Sequence, residues 1–204
     1  MTQRVLSLID DQADVRQALA DMLSVFGYEV ATFASADDFL ADPSSGGAAC
    51  VISDVRMPGM DGISLVRHVA ALPFPPHVIL ISGHADVPMA VEALKAGAFD
   101  FIEKPVDDVK LVASINRALA SRLELADAQR LSQDLSQRLE TLTPRELEVF
   151  DLVASGLTSQ IIGEKLGISV RTVESYRAQI MDKMQADGVA ALVRQAIRLG
   201  RIDA

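Results

Sequence analysis

Apolar residues in the first half of the chain gather in short runs, and the segments between them carry helical spacing. Strands are predicted near 4–9, 28–33, 50–53, 77–82 and 99–102, and helices near 14–26, 36–41, 61–71, 87–96 and 106–120. Gly27, Gly97 and Pro105 stand at element ends. Regular alternation of strand and helix demands parallel pairing, because each crossover helix returns the chain to the same end of the sheet. Five such units give an open α/β sheet of the flavodoxin-like kind, with expected strand order 2-1-3-4-5.

Beyond residue 105 the pattern changes. Leu119, Leu123, Leu131, Leu135, Leu139 and Leu142 recur at spacings near four, with no Gly or Pro from 106 to 143. One long helix, or a helix broken once, is expected there. Four short helices then follow. Thr143-Pro144-Arg145-Glu146 reads as a capping box with Pro at the first helical position, opening a helix that Gly156 ends. Thr158 is expected to cap a helix to Leu166, and Ser169 a longer one to about Met184, across the turn Gly167-Ile168. Asp187 is expected to cap the last, ending at Gly200. A tight Gly turn between the second and third of these helices is a helix-turn-helix arrangement. The expected division is residues 1–121, a helical linker 122–140, and 141–204.

Composition adds two things. With 204 residues, half of them apolar, the chain supports two cores, and no run approaches a membrane span. Met1-Thr2-Gln3-Arg4 leads straight into a strand, so no signal peptide is expected, and the single cysteine, Cys50, reads as a buried thiol. A cytoplasmic protein without membrane partners follows. The net charge of −9 argues against nucleic acid until it is divided along the chain. Residues 1–121 hold eight basic and sixteen acidic residues, whereas 142–204 hold eight of each, so a basic face on the second part remains available.

The chemistry lies at strand ends. Asp10 and Asp11 follow the first strand, Asp54 the third, Ser82 the fourth and Lys104 the fifth. In a parallel α/β sheet the carboxyl ends of the strands form the ligand site. Oxygen ligands suit Mg²⁺, and one carboxylate beside such an ion and an ammonium can act as nucleophile toward a phosphoryl group. Singly, each residue has a plainer role: Asp61 is expected only to cap the third helix, Phe101 alone reads as core, and His84 as a loop histidine near Ser82. No G-x-G-x-x-G follows the first strand, which disfavours a dinucleotide enzyme, and no organic cofactor is expected.

Asp10-Asp11, Ser53-Asp54-Val55-Arg56-Met57-Pro58-Gly59-Met60-Asp61-Gly62, Ser82-Gly83-His84, Phe101 and Lys104-Pro105 together resemble the receiver domain of two-component response regulators, over nearly all of residues 1–121. The resemblance implies that Asp54 is the phosphoacceptor. It implies that Asp11, Asp54 and the backbone carbonyl of Arg56 bind Mg²⁺, with Asp10 acting through water. Ser82 and Phe101 then form a switch pair, with Lys104 sensing the phosphoryl group. Ser82 stands where many relatives carry Thr. A haloacid-dehalogenase-type phosphatase is the rival enzyme reading, but it needs a second Asp where this chain has Arg56. Slow autodephosphorylation is the only turnover expected. A receiver working without phosphorylation is the other rival, disfavoured by the intact acidic site.

The stretch from Leu142 through Arg171-Thr172-Val173-Glu174, with Tyr176-Arg177, is similar to LuxR/FixJ-type effector domains, and the whole chain resembles FixJ-type regulators. Ile161 and Gly163 depart from the Glu and Ala that many relatives have, so no DNA sequence preference is transferred. Helical spacing sends Val173, Ile180 and Met184 to the core and Arg171, Glu174, Ser175 and Ala178 toward a major groove. Arg171, Thr172, Arg177 and Lys183 are candidate phosphate contacts, with Glu174 and Ser175 facing bases. The resemblance implies a sensor histidine kinase, double-stranded promoter DNA and RNA polymerase as partners. It also implies a phosphorylated homodimer formed through Val87, Val91, Leu94 and Lys95, and a second dimer contact on the outer face of the last helix; regulation of transcription is expected, with activation the favoured sign although the sequence itself does not show it.

Overall fold

The structure, a computed structural model, describes residues 5–43, 47–83 and 87–203. The residues before the first strand, and His84, lie outside them. Five parallel strands pair in the order β2-β1-β3-β4-β5, as expected. They are β1 (Val5–Ile9), β2 (Glu29–Phe33), β3 (Cys50–Asp54), β4 (His77–Ser82) and β5 (Asp100–Glu103). Between them run α1 (Ala13–Val25), α2 (Ala36–Ala41), α3 (Gly62–Ala70) and α4 (Val87–Ala96), and α5 (Asp108–Glu140) follows β5.

Central strands buried on both faces read as continuous apolar runs, and their alternate residues feed two separate cores. Val51, Val78 and Leu80 pack with Phe39, Leu65, Val66, Val69 and Ala93 from α2, α3 and α4. Leu6, Leu8, Ile52, Ile79 and Ile81 pack with Leu19 and Leu23 of α1 and Leu111, Ile115 and Ala118 of α5. Cys50 belongs to this second core, and burial pushes its thiol up to about 12, so it is inert at neutral pH.

The helix after β5 is a single element of 33 residues, consistent with the absence of Gly and Pro from its sequence. The chain separates into two compact units, residues 1–124 and 125–204, and the division falls inside α5. In the second unit, Leu139 and Leu142 pack on the core formed by α6 (Pro144–Ala154), α7 (Ser159–Leu166), α8 (Val170–Met184) and α9 (Val189–Arg198).

Thr143 and Glu146 make both bonds of the capping box, and Thr158 and Ser169 cap α7 and α8 through their side chains. Asp187 does not cap α9. The helix starts one residue later, with Gly188 in extended conformation at the cap position and no side-chain cap bond. Gly167 takes φ +66 at the end of α7, the left-handed geometry that lets the turn close. Gly163 is needed for a different reason. A Cβ there would lie 2.8 Å from the Ile168 carbonyl oxygen, so α7 meets the turn backbone directly at this residue.

Candidate functional site

β1 delivers Asp10 to its carboxyl end, 1 % exposed, and the Asp10 Oδ1 accepts the backbone N–H of Gln12 at 2.9 Å. β3 delivers Asp54, 7 % exposed, with Oδ2 accepting from the Arg56 backbone N–H at 2.7 Å. Lys104 follows β5, and its backbone N–H donates to the Ser82 carbonyl at 2.8 Å. From there its ammonium donates to Asp10 Oδ2 at 2.8 Å and Asp54 Oδ1 at 2.5 Å. Three strands therefore place three charges within hydrogen-bond reach although up to 94 residues separate them in sequence. Burial works against the Lys104 charge, but the hydrogen bonds and charges of Asp10 and Asp54 outweigh it and hold its pKa above the ordinary lysine value.

Asp11 is exposed. It lines a cleft of about 790 Å³ with Arg56, Met57, Asp61 and Met89. Asp61 caps α3 through a 2.6 Å bond from the Ser64 N–H, the plain role expected for it. Ser82 is buried at the end of β4, with its hydroxyl 3.7 Å from the Met89 sulfur. Phe101 is half-buried against the core under α2, α3 and α4. On α4, Val87, Val91 and Leu94 recur at helical spacing and are 77 %, 44 % and 52 % exposed, with Lys95 beside them.

The carboxylates of Asp10, Asp11 and Asp54 are hard oxygen donors, the type that suits Mg²⁺. Among the described residues no three metal-ligating side chains already stand together; the Lys104 ammonium bridges Asp10 and Asp54, and Asp11 lines the cleft.

In the second unit, Val173, Ile180 and Met184 are fully buried, and Arg171, Thr172, Glu174, Ser175 and Ala178 face solvent. The Thr172 hydroxyl lies 2.8 Å from that of Ser169. Glu174 accepts from the Ser159 hydroxyl, which in turn accepts from Arg177 at 3.0 Å, so α7 orients two residues of the α8 face. Lys183, expected as a phosphate contact, also has partners within the unit. Its ammonium binds the buried Glu146 carboxylate at 2.6 Å and the Thr141 carbonyl at 3.2 Å. A carboxylate that is almost wholly desolvated requires such a partner.

Sequence reasoning missed Ser159 and the second partner of Glu146. The capping box revealed Glu146 itself, but nothing local points to a lysine 37 residues away. The Lys183 hydrogen bond, working against burial and aided by Thr143, holds Glu146 below the ordinary glutamate value of 4.5. A depressed carboxylate contributes stability that is present above the ordinary value and lost as pH falls through the depressed one. Glu146→Ala is expected to cost the second unit about 2–3 kcal/mol near neutral pH from the lost cap and broken pair. In urea titrations the gap to wild type should narrow as pH falls below 4.5. A gap independent of pH would mean that Glu146 acts by packing alone.

The chain matches the response regulator receiver domain family over residues 6–116, and the luxR family of bacterial regulatory proteins over residues 140–196. It belongs to these families: it is a two-component response regulator with a LuxR-type DNA-binding domain. Among its relatives are the FixJ transcriptional regulatory proteins of Bradyrhizobium diazoefficiens and Rhizobium meliloti. The first is 41 % identical over 202 residues, covering 99 % of this chain and 98 % of the relative. The second is 42 % identical over 204 residues, covering 98 % of each. Of solved structures, the response regulator StyR is 35 % identical with a TM-score of 0.82, covering 94 % of this chain and 97 % of StyR. Full-length FixJ from B. japonicum is 40 % identical with a TM-score of 0.59, covering all of both chains. The chain is thus a FixJ-like transcriptional regulator. Among the described residues no helix is long and apolar enough to cross a membrane.

Proposed function

We propose that this regulator is switched by phosphorylation of Asp54. The observation that carries the reading is the Lys104 ammonium held between Asp10 and Asp54 at the carboxyl ends of three strands. A sensor histidine kinase presents a phosphohistidine. An Asp54 carboxylate oxygen attacks phosphorus, the P–N bond breaks, and its electron pair leaves with the imidazole. Asp11, Asp54 and the Arg56 carbonyl would hold Mg²⁺, with Asp10 acting through water, and the metal would supply positive charge for the phosphoryl oxygens. Lys104 supplies a second positive charge at the same oxygens. Slow hydrolysis of the acyl phosphate resets the protein.

Once Asp54 carries a phosphoryl group, the Ser82 hydroxyl turns to it and Phe101 moves inward. The exposed apolar stripe Val87, Val91 and Leu94, with Lys95, then pairs with a second copy. A local charge acts at a distance by biasing such a two-state element. Two effector units brought together by this pairing, and by the outer face of α9, bind two half-sites of promoter DNA. Glu174 and Ser175 meet bases, and Arg171, Thr172 and Arg177 meet phosphates. The bound dimer recruits RNA polymerase in the cytoplasm and activates transcription.

Acetyl phosphate with Mg²⁺ provides the direct test. Wild type is expected to gain one phosphoryl group by mass and to double its molar mass in light scattering, while Asp54→Asn does neither. Phosphorylation of Asp54→Asn, or none of wild type, overturns the reading.

A further inference from the structure

The Ser82 hydroxyl has a named acceptor in this structure. It donates toward the Met89 Sδ at 3.7 Å, across the gap from the end of β4 to the first turns of α4. Ser82 itself is 1 % exposed and belongs to the rigid sheet, where its carbonyl accepts from Lys104. Met89 is half-buried. It packs against the core under α2, α3 and α4 and also lines the cleft that holds Asp11 and Arg56. One side chain thus meets the Ser82 hydroxyl and lines the Asp11 cleft, and it stands on the helix that carries Val87, Val91 and Leu94.

We infer that Met89 is a positioning residue for the Ser82 switch, holding the hydroxyl on α4 in the resting state and giving it up on phosphorylation. This rests on the reading of Asp54 as phosphoacceptor. The physical basis is a ranking of acceptors. A thioether sulfur is a weak acceptor, whereas an anionic phosphoryl oxygen accepts a short, charge-assisted bond about twice as strong as a neutral one. The sulfur is therefore strong enough to bias an unphosphorylated protein and too weak to compete with the phosphoryl group. Releasing the Ser82–Met89 bond also removes one tie between β4 and the start of α4. The event at Asp54 is thereby coupled to the face of α4 that is to pair. A stronger acceptor at position 89 would hold the resting state, and none would loosen it.

The test uses the full chain with acetyl phosphate and Mg²⁺, following the initial rate of Asp54 phosphorylation by intact mass. Met89→Leu keeps the volume and removes the thioether acceptor; Met89→Gln keeps the length and supplies a stronger acceptor. Met89→Leu is expected to phosphorylate about two- to five-fold faster than wild type, and Met89→Gln slower by a similar factor. Both differences should vanish in a Ser82→Ala background, since Met89 acts through that hydroxyl. Equal effects with and without the Ser82 hydroxyl, or shifts of the same sign for Leu and Gln, overturn the inference alone, since they assign Met89 to packing. If wild type gains no phosphoryl group at Asp54, the phosphoacceptor reading falls, and this inference falls with it.

Discussion

Gly62→Ala is expected to lose most phosphorylation and to destabilise the first unit by about 2–3 kcal/mol, roughly 10 °C in its melting temperature. The cause is a contact that no side chain can satisfy. A Cβ at Gly62 would lie 2.4 Å from the backbone carbonyl oxygen of Asp54, 2.9 Å from Leu80 Cδ2 and 3.0 Å from the Val55 Cα. Leu80 is fully buried in the core and cannot yield. Movement must therefore come from the Asp54 peptide or from the start of α3, whose Gly62 N–H donates to the Val55 carbonyl at 2.9 Å. Either movement displaces the residue that carries the proposed chemistry. The better helix propensity of Ala offsets only about 0.5–1 kcal/mol of the cost. Gly47→Ala is the control, because a Cβ there meets nothing within 4 Å. Calorimetry of the full chain and acetyl phosphate labelling check both halves of the expectation. A Gly62→Ala protein with wild-type melting and labelling would mean that α3 can retreat from β3 without disturbing Asp54.

That contact marks how far the sequence alone reaches. Strands and their order are legible because Val5–Ile9, Cys50–Ser53 and His77–Ser82 are apolar runs of strand length between helical segments. Once the sheet is parallel, topology sends Asp10, Asp54, Ser82 and Lys104 to one edge, so their meeting follows from the pattern. Side-chain direction does not follow. Asp10 and Asp11 are neighbours in sequence, yet one is buried against Lys104 and the other faces the cleft. Caps are local and mostly readable, as Thr143, Thr158 and Ser169 illustrate. Asp187 misleads because the extended backbone of Gly188 delays the helix by one residue. Lys183 has the type and face expected of a phosphate contact, and its ion pair with Glu146 is not legible, because only tertiary packing brings the two together. Ser159 became part of the candidate DNA face for the same reason, through Glu174 and Arg177.

Lys104→Met should be more damaging still, and in a way that the metal can report. Asp10 and Asp54 share a single ammonium, and their side chains are 2 % and 9 % exposed. Replacing an ammonium by an apolar end of similar length leaves two desolvated carboxylates facing each other. Removing one partner of a buried ion pair costs about 3–5 kcal/mol, because the remaining charge stays buried and uncompensated. Here two charges are stranded, so the upper part of that range is expected for the first unit in urea unfolding at neutral pH. The Lys104 contribution is present below the ordinary lysine value and is lost only as pH rises through its raised one. The deficit of Lys104→Met is therefore constant through the neutral range, and alkaline conditions, not neutral ones, would erase it. A divalent cation supplies what the ammonium did. Mg²⁺ is accordingly expected to stabilise Lys104→Met more than wild type, since in wild type the ammonium already compensates part of the charge. Urea titrations of both proteins with and without Mg²⁺ measure this difference. Equal stabilisation of the two would place the ion away from Asp10 and Asp54. A larger effect on Lys104→Met, absent when Asp54→Asn is added, would locate it at the carboxylates that Lys104 bridges and explain why one strand-end lysine is needed to hold the resting site together.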